Sequence, residues 1–127
     1  PDPRNIMRAL VIDDSRAMRV ILTRTMENLG FEVEAVNDGQ QALDAVVRGP
    51  LPDVCLIDWN MPVMNGLEFI VEVRKNRDWR DVTLMMVTTE AEQANIVRAL
   101  AAGAHEYVIK PFTPDIIADK LTMLGLL

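Results

Sequence analysis

Short apolar runs alternate along this chain with stretches of helical spacing. The runs are Ala9–Ile12, Val54–Ile57, Leu84–Val87 and Tyr107–Ile109; a fifth, Glu32–Val36, alternates apolar with polar residues. Between them apolar residues recur every three or four positions. Met18, Ile21, Leu22, Met26 and Leu29 form one set, and Ala42, Leu43, Val46 and Val47 the next. Leu67, Ile70 and Val73 follow, then Ile96, Val97 and Leu100, then Ile116, Ile117, Leu121 and Leu124. The first kind of pattern predicts strands and the second predicts amphipathic helices. Near-continuous apolar strands suit a parallel sheet covered on both faces, whereas the alternation in Glu32–Val36 is that of an edge strand. The β-α unit repeats five times, which predicts an α/β fold: a doubly wound five-stranded parallel sheet.

Local chemistry supports these boundaries. Asp38-Gly39-Gln40-Gln41 and Thr89-Glu90-Ala91-Glu92 read as capping boxes or close variants at two helix starts. Thr113-Pro114 supplies a capping hydroxyl followed by proline at the first helical position. Gly30, Gly49 and Gly103 follow three of the helices, where a left-handed stop is wanted, and Pro52, Pro62 and Pro111 fall in loops. No linker, repeat or low-complexity tract interrupts the pattern. The expectation is one domain over residues 1–127, with its core at about 8–124 and no room for an output domain. Pro1 implies either loss of an initiator Met or excision from a longer chain.

Composition narrows the function class. The chain has 127 residues, half of them hydrophobic, and a formal net charge of −6. That charge argues against a nucleic-acid partner. No apolar stretch approaches the roughly 20 residues needed to span a bilayer, so no membrane partner is expected. The single cysteine, Cys55, lies in an apolar run and cannot make an internal disulfide. It reads as a small buried apolar residue in a reducing compartment, the cytoplasm.

The candidate chemistry sits where the strands end. Asp13-Asp14 follows the first strand, Asp58 the third, Thr88 the fourth and Lys110-Pro111 the fifth. In an open α/β sheet the carboxyl ends of the strands line the ligand crevice, so residues scattered over almost the whole chain converge for a topological reason. Three carboxylates brought together repel, and one ammonium does not neutralise them. A divalent cation would, and an all-oxygen ligand set suits Mg²⁺, with Mn²⁺ as a possible substitute, rather than zinc. A carboxylate beside such a cation can act as a nucleophile and form an acyl phosphate. Lys110 and the Thr88 hydroxyl would then share the phosphoryl oxygens with the metal.

These residues carry a resemblance. Val11-Ile12-Asp13-Asp14-Ser15, Asp58-Trp59-Asn60-Met61-Pro62 with Gly66, Val87-Thr88, Ala102-Gly103-Ala104 and Lys110-Pro111-Phe112 together resemble the response-regulator receiver family of two-component signal transduction, from about Arg8 to Leu124. The resemblance implies a flavodoxin-like strand order 2-1-3-4-5. It makes Asp58 the phospho-acceptor, taking its phosphoryl group from a histidine kinase or phosphotransfer protein. Asp14, Asp58 and the backbone carbonyl of Asn60 would ligate Mg²⁺, with Asp13 acting mainly through bound water. Lys110 would pair with the phosphoryl group across a cis bond to Pro111. Thr88 would move toward that group and Tyr107 turn inward, switching the face formed by the fourth helix, fifth strand and fifth helix toward an effector protein. The expected species is a monomer or weak dimer. No enzyme activity is expected beyond self-catalysed phosphotransfer and autodephosphorylation.

Within the family the chain is most similar to the free-standing chemotaxis type, by Trp59-Asn60, Thr88 with Glu90, Asn95-Ile96, Tyr107 and Lys110-Pro111-Phe112-Thr113. It departs at Glu92-Gln93, where that type is basic, and at Met123; Lys120 retains the basic character. Two rivals stand beside this reading. One is a receiver cut from a larger regulator or hybrid kinase, or a phosphorelay intermediate that only stores phosphate. The other is a haloacid-dehalogenase-like phosphatase, which wants an acid where Asn60 stands.

Other residues have plainer readings. Trp59 is either a partly exposed loop aromatic or a gate and partner contact at the site mouth. Trp79 belongs to a surface loop, His105 is a surface histidine, and the eight Met residues fill gaps, with Met64 a candidate partner contact.

Overall fold

The structure is a computed structural model that describes residues 6–127. Its strands are β1 (Arg8–Ile12), β2 (Glu32–Val36), β3 (Val54–Ile57), β4 (Thr83–Thr88) and β5 (Glu106–Ile109). The helices are α1 (Arg16–Asn28), α2 (Gly39–Arg48), α3 (Gly66–Lys75), α4 (Gln93–Ala102) and α5 (Pro114–Met123), with a 3-10 turn at Arg77–Trp79. The strands pair in parallel in the order β2-β1-β3-β4-β5. Strand β2 is therefore an edge, as its alternation predicts. Pro1, like the rest of residues 1–5, lies outside the described residues.

The period-two geometry of the strands divides the core into two layers. Leu10, Ile12, Cys55, Ile57, Leu84 and Met86 face one side, where α2, α3 and α4 bring Ala42, Val46, Phe69, Ile70, Val73 and Ala99. Ala9, Val11, Val54, Leu56, Met85, Val87 and Val108 face the other, against Leu22 and Met26 of α1 and Ile117 and Leu121 of α5. Both faces of the central strands are buried, which is why those segments read as continuous apolar runs. Burial of this kind is the main force holding the layers together, at about 25 cal/mol per Å² of apolar surface.

The capping predictions divide. Thr113 Oγ1 accepts from the Ile116 N–H, and Pro114 occupies the first turn. Asp38 Oδ1 accepts from the Gln41 N–H at 2.9 Å, while the Gln41 side chain returns to the N–H of Asn37 rather than of Asp38, a close variant of the box. Thr89–Glu92 forms no box. Helix α4 starts only at Gln93, and its N-cap Glu92 makes no side-chain cap bond. The reason is competition: the Glu90 N–H bonds to Thr88 Oγ1 and the Glu90 carbonyl accepts from Tyr107, so this backbone is held at the sheet end and is not free to start a helix. A complete capping box appears instead at Asn65–Glu68, at the start of α3. Gly30, Gly49 and Gly103 all take positive φ.

No helix among the described residues is long and apolar enough to cross a membrane.

Candidate functional site

Five of the predicted site residues hang from the carboxyl ends of strands, while Tyr107 lies within β5 and Trp59, Asn60 and Glu90 lie in the loops that follow β3 and β4. Asp13 and Asp14 leave β1, Asp58 leaves β3, Thr88 ends β4, and Lys110 leaves β5 across a cis bond to Pro111. The ladder continues one step past the strands: the Asp58 N–H donates to the Ile12 carbonyl at 2.9 Å, and the Lys110 N–H to the Thr88 carbonyl at 2.9 Å. With the β3–β4 ladder between them, these bonds bring the four segments into register at the crevice.

Carboxylate oxygens of Asp13, Asp14 and Asp58 lie within 4.8 Å of one another. Asp13 is fully buried, Asp58 is buried and Asp14 is exposed. Lys110 Nζ stands 2.7 Å from Asp13 Oδ2 and 3.9 Å from Asp58 Oδ2, with its own side chain largely buried. The other Asp13 oxygen accepts the Ser15 N–H at 2.9 Å, and the Asp13 carbonyl accepts from Arg19 at 2.8 Å. Both Asp13 oxygens thus have protein partners.

Asp58 is the carboxylate whose environment resists ionisation. Burial is the main cause of its raised pKa, and the Asp13 charge adds to it; the Thr88 hydroxyl, Lys110 and the Trp59 N–H pull the other way. Three acidic groups with one buried ammonium have an excess of negative charge, and every donor atom is oxygen. That arrangement fits a hard divalent cation.

Thr88 is fully buried. Its Oγ1 accepts the Trp59 N–H and the Glu90 N–H, each at 3.3 Å. With two acceptor contacts made, its single proton is left for an oxygen at the site. Glu90 extends the chain: its carbonyl accepts from the Tyr107 hydroxyl at 2.6 Å, and its Oε1 accepts from the Glu92 N–H and the Asn95 amide. Burial, Glu90 and Asp58 push the Tyr107 hydroxyl up to about 12, so it stays a donor. Thr88, Glu90 and Tyr107 therefore form one line of contacts leading away from Asp58 toward α4.

The expectations for the two tryptophans need correction. Trp59 is neither a partly exposed aromatic nor a gate at the mouth: it is buried, and its side chain belongs to the core layer under α2 and α3. Its N–H is anchored on Thr88 Oγ1 while the ring packs into that layer. Asn60 lies exposed on the same loop, two residues past Asp58. Trp79, expected on a surface loop, is half-buried in the 3-10 turn and packs against the core.

Sequence reasoning missed the supports of Asp13. Ser15 is the N-cap of α1, and Asp-x-Ser ahead of a helix is the signal that a carboxylate is held by the turn. Arg19 gave no signal, because its contact is to a backbone carbonyl. Gly66 has a further use: a Cβ there would come within 2.3 Å of the Asp58 carbonyl oxygen. Only glycine lets α3 start directly against the backbone of Asp58.

Comparisons with known proteins agree with this geometry. The sequence profile of the response regulator receiver domain matches residues 9–122. A Campylobacter jejuni chemotaxis protein, a CheY homolog, is 41% identical over 116 residues, covering 91% of this chain and 89% of the relative. Helicobacter pylori chemotaxis protein CheY1 is 38% identical over 119 residues, 93% and 96% of the two chains. The solved structure of Vibrio cholerae chemotaxis protein CheY4 superposes with a TM-score of 0.85 at 33% identity, over 96% of this chain and 99% of that one. Sheet order, strand-end chemistry and sequence thus converge, and the chain belongs to the response regulator receiver domain family.

Proposed function

We propose that Asp58 accepts a phosphoryl group from a phosphohistidine on a histidine kinase or phosphotransfer protein, and that the chain returns it to water by self-catalysed hydrolysis without acting on other substrates. The observation that carries this reading is Lys110 Nζ, set between Asp13 at 2.7 Å and Asp58 at 3.9 Å, beside an acceptor carboxylate that is buried yet open to the crevice. An Asp58 oxygen attacks phosphorus as the bond to the donor imidazole nitrogen breaks. Burial makes that oxygen more basic and less hydrated, hence a better nucleophile. Asp14, Asp58 and the Asn60 carbonyl are the residues that would hold Mg²⁺, or Mn²⁺ in its place, with Asp13 reached through water because both its oxygens are engaged. When bound, the cation supplies charge neutralisation for the phosphoryl oxygens.

Transfer changes what Thr88 touches. Its hydroxyl turns to donate to a phosphoryl oxygen, which weakens its two long contacts to the Trp59 and Glu90 N–H groups. The Glu90 backbone is then freed, the acceptor of Tyr107 moves, and the ring follows inward. The face of α4, β5 and α5 responds, and a partner with higher affinity for the shifted state selects it. The chemotaxis relatives make a motile-cell effector one reading of that partner. The chemistry of the face differs from a basic one, however: Lys120 is paired with Glu106 at 3.1 Å, and Val97, Leu100, Ile109 and Met123 are exposed. An apolar-faced effector is expected, rather than an acidic peptide.

Incubation with acetyl phosphate and Mg²⁺ should add one phosphoryl mass, and Asp58→Asn should add none. Stable labelling of the Asn variant at another residue would refute the assignment. Beryllofluoride with Mg²⁺ should also shift amide resonances of Thr89–Ala101 and His105–Asp119. Shifts confined to the neighbourhood of Asp58 would mean that the chain stores phosphate without switching.

A further inference from the structure

Helix α4 is held unequally at its two ends. Of its ten residues only Ala99, near the C-terminus, is buried. Its first turn has no side-chain cap of its own and is steadied by the Glu90 carboxylate through Glu92 and Asn95. The last turn is closed by the Gly103 and Ala104 N–H groups bonding back to the Ala99 carbonyl. It is also clamped from outside. Arg74 of α3 places Nε and Nη2 on the Gly103 carbonyl at 3.3 and 3.1 Å. The same guanidinium reaches the Trp79 and Arg80 carbonyls through Nη1, both at 3.3 Å, and the Val82 carbonyl through Nη2 at 2.9 Å.

One side chain therefore ties together the end of α3, the entry to β4 and the exit of α4. A planar fork with five donors can do this, and a lysine ammonium cannot. The approach is close: a Cβ on Gly103 would stand 2.7 Å from Arg74 Cγ, and Gly103 has a φ of 127°. Glycine at 103 is what lets the arginine stem approach this closely.

We infer that Arg74 is a positioning residue of the switch: it pins the C-terminal end of α4 so that a displacement begun at Thr88 and Glu90 swings the helix about Ala99–Gly103. Residues at the free end, Gln93 to Val97, then travel furthest, and the joint stays still. This inference rests on the phospho-acceptor reading above.

The test is residue-resolved. In the wild-type chain, amide exchange in the free state should be slowest in the last turn of α4 and fastest in the first. Resonance shifts on adding beryllofluoride and Mg²⁺ should decline from Gln93 toward Gly103. Arg74→Met keeps the aliphatic stem and removes the donors. It should still take one beryllofluoride at Asp58, but its shifts should run on through Gly103 and Ala104, and last-turn exchange should speed up at least about tenfold. Arg74→Lys should fall between the two, and it replaces the Met variant if that one fails to fold. A flat or reversed wild-type profile, or an Arg74→Met profile matching wild type, would overturn the pivot. Loss of beryllofluoride binding in the wild type would instead strike at Asp58 as acceptor, and the exchange gradient of the free protein would still judge the clamp.

Discussion

Replacing Gly66 with alanine perturbs Asp58, the proposed acceptor, from behind. The new methyl would lie 2.3 Å from the Asp58 carbonyl oxygen and 3.0 Å from Ile57 Cγ2, whereas ordinary contact begins near 3.4 Å. The start of α3 and the backbone of Asp58 must therefore part by about 1 Å. Neither neighbour can rotate away, since one is main chain and the other a fully buried β-branched side chain. Overpacking of this kind costs about 1–3 kcal/mol, and an obstruction made of backbone belongs at the upper end. For a domain of this size that is a fall in Tm of roughly 10 °C. The same 1 Å, passed on to the carboxylate, should slow phosphorylation by about a hundredfold. Thermal melts followed by circular dichroism and mass-resolved labelling with acetyl phosphate measure the two effects. Gly30→Ala is the control: at φ 94°, with nothing within 4 Å of its new methyl, it should lose about 1 kcal/mol from backbone strain and keep its labelling rate. A Gly66→Ala variant that melts early but labels normally would show that α3 absorbs the strain and that the loop does not position Asp58.

Three further outcomes are expected. His105 accepts the Leu84 N–H at Nδ1 and lies 3.4 Å from Arg74 Nη2, and burial, then Arg74, lower its pKa. The unfolded chain thus takes up a proton that the folded chain resists, so this contribution to stability is complete above about pH 6.5 and is lost as pH falls through it; urea midpoints at pH 7.5 and 5.5 should differ more for wild type than for His105→Gln, and equal differences would exclude the effect. Cys55 is fully buried, and desolvation pushes its thiol up to about 12, so iodoacetamide should label it only as fast as the fold opens; rapid labelling under native conditions would contradict that burial. Without divalent cations Asp58→Asn should raise the Tm, because it removes a buried charge facing Asp13, and Mg²⁺ should raise the Tm of the wild type far more than that of the variant; an Asn variant melting at or below wild type would refute the repulsion.

The fold was legible because its signals are long and periodic. Buried strands have no polar phase, so Ala9–Ile12 and Val54–Ile57 stand out, and the strand-end residues follow from topology alone. What escaped was decided by contacts rather than patterns. Thr89–Glu92 has the letters of a capping box, but Thr88 and Tyr107 claim its backbone first. Trp59 has the sequence position of an exposed loop aromatic, directly after Asp58, yet its ring packs into the core. Arg74, one of many surface-coloured positions on an amphipathic helix, spends its donors on four backbone carbonyls that no sequence pattern marks.

The ion pair between Asp13 and Lys110 joins residues 97 positions apart. During synthesis the acidic residue leaves the ribosome early, and its counter-ion comes only with the last strand. A half-made chain has Asp13, Asp14 and Asp58 but lacks the ammonium, and it lacks the partner strand that carries Tyr107. On the proposed function, phosphoryl transfer uses Lys110 and so would need a chain that already carries β5. A chain without β5 would hold three carboxylates with no ammonium among them, so one long-range contact couples the charge balance of the site to completion of the sheet.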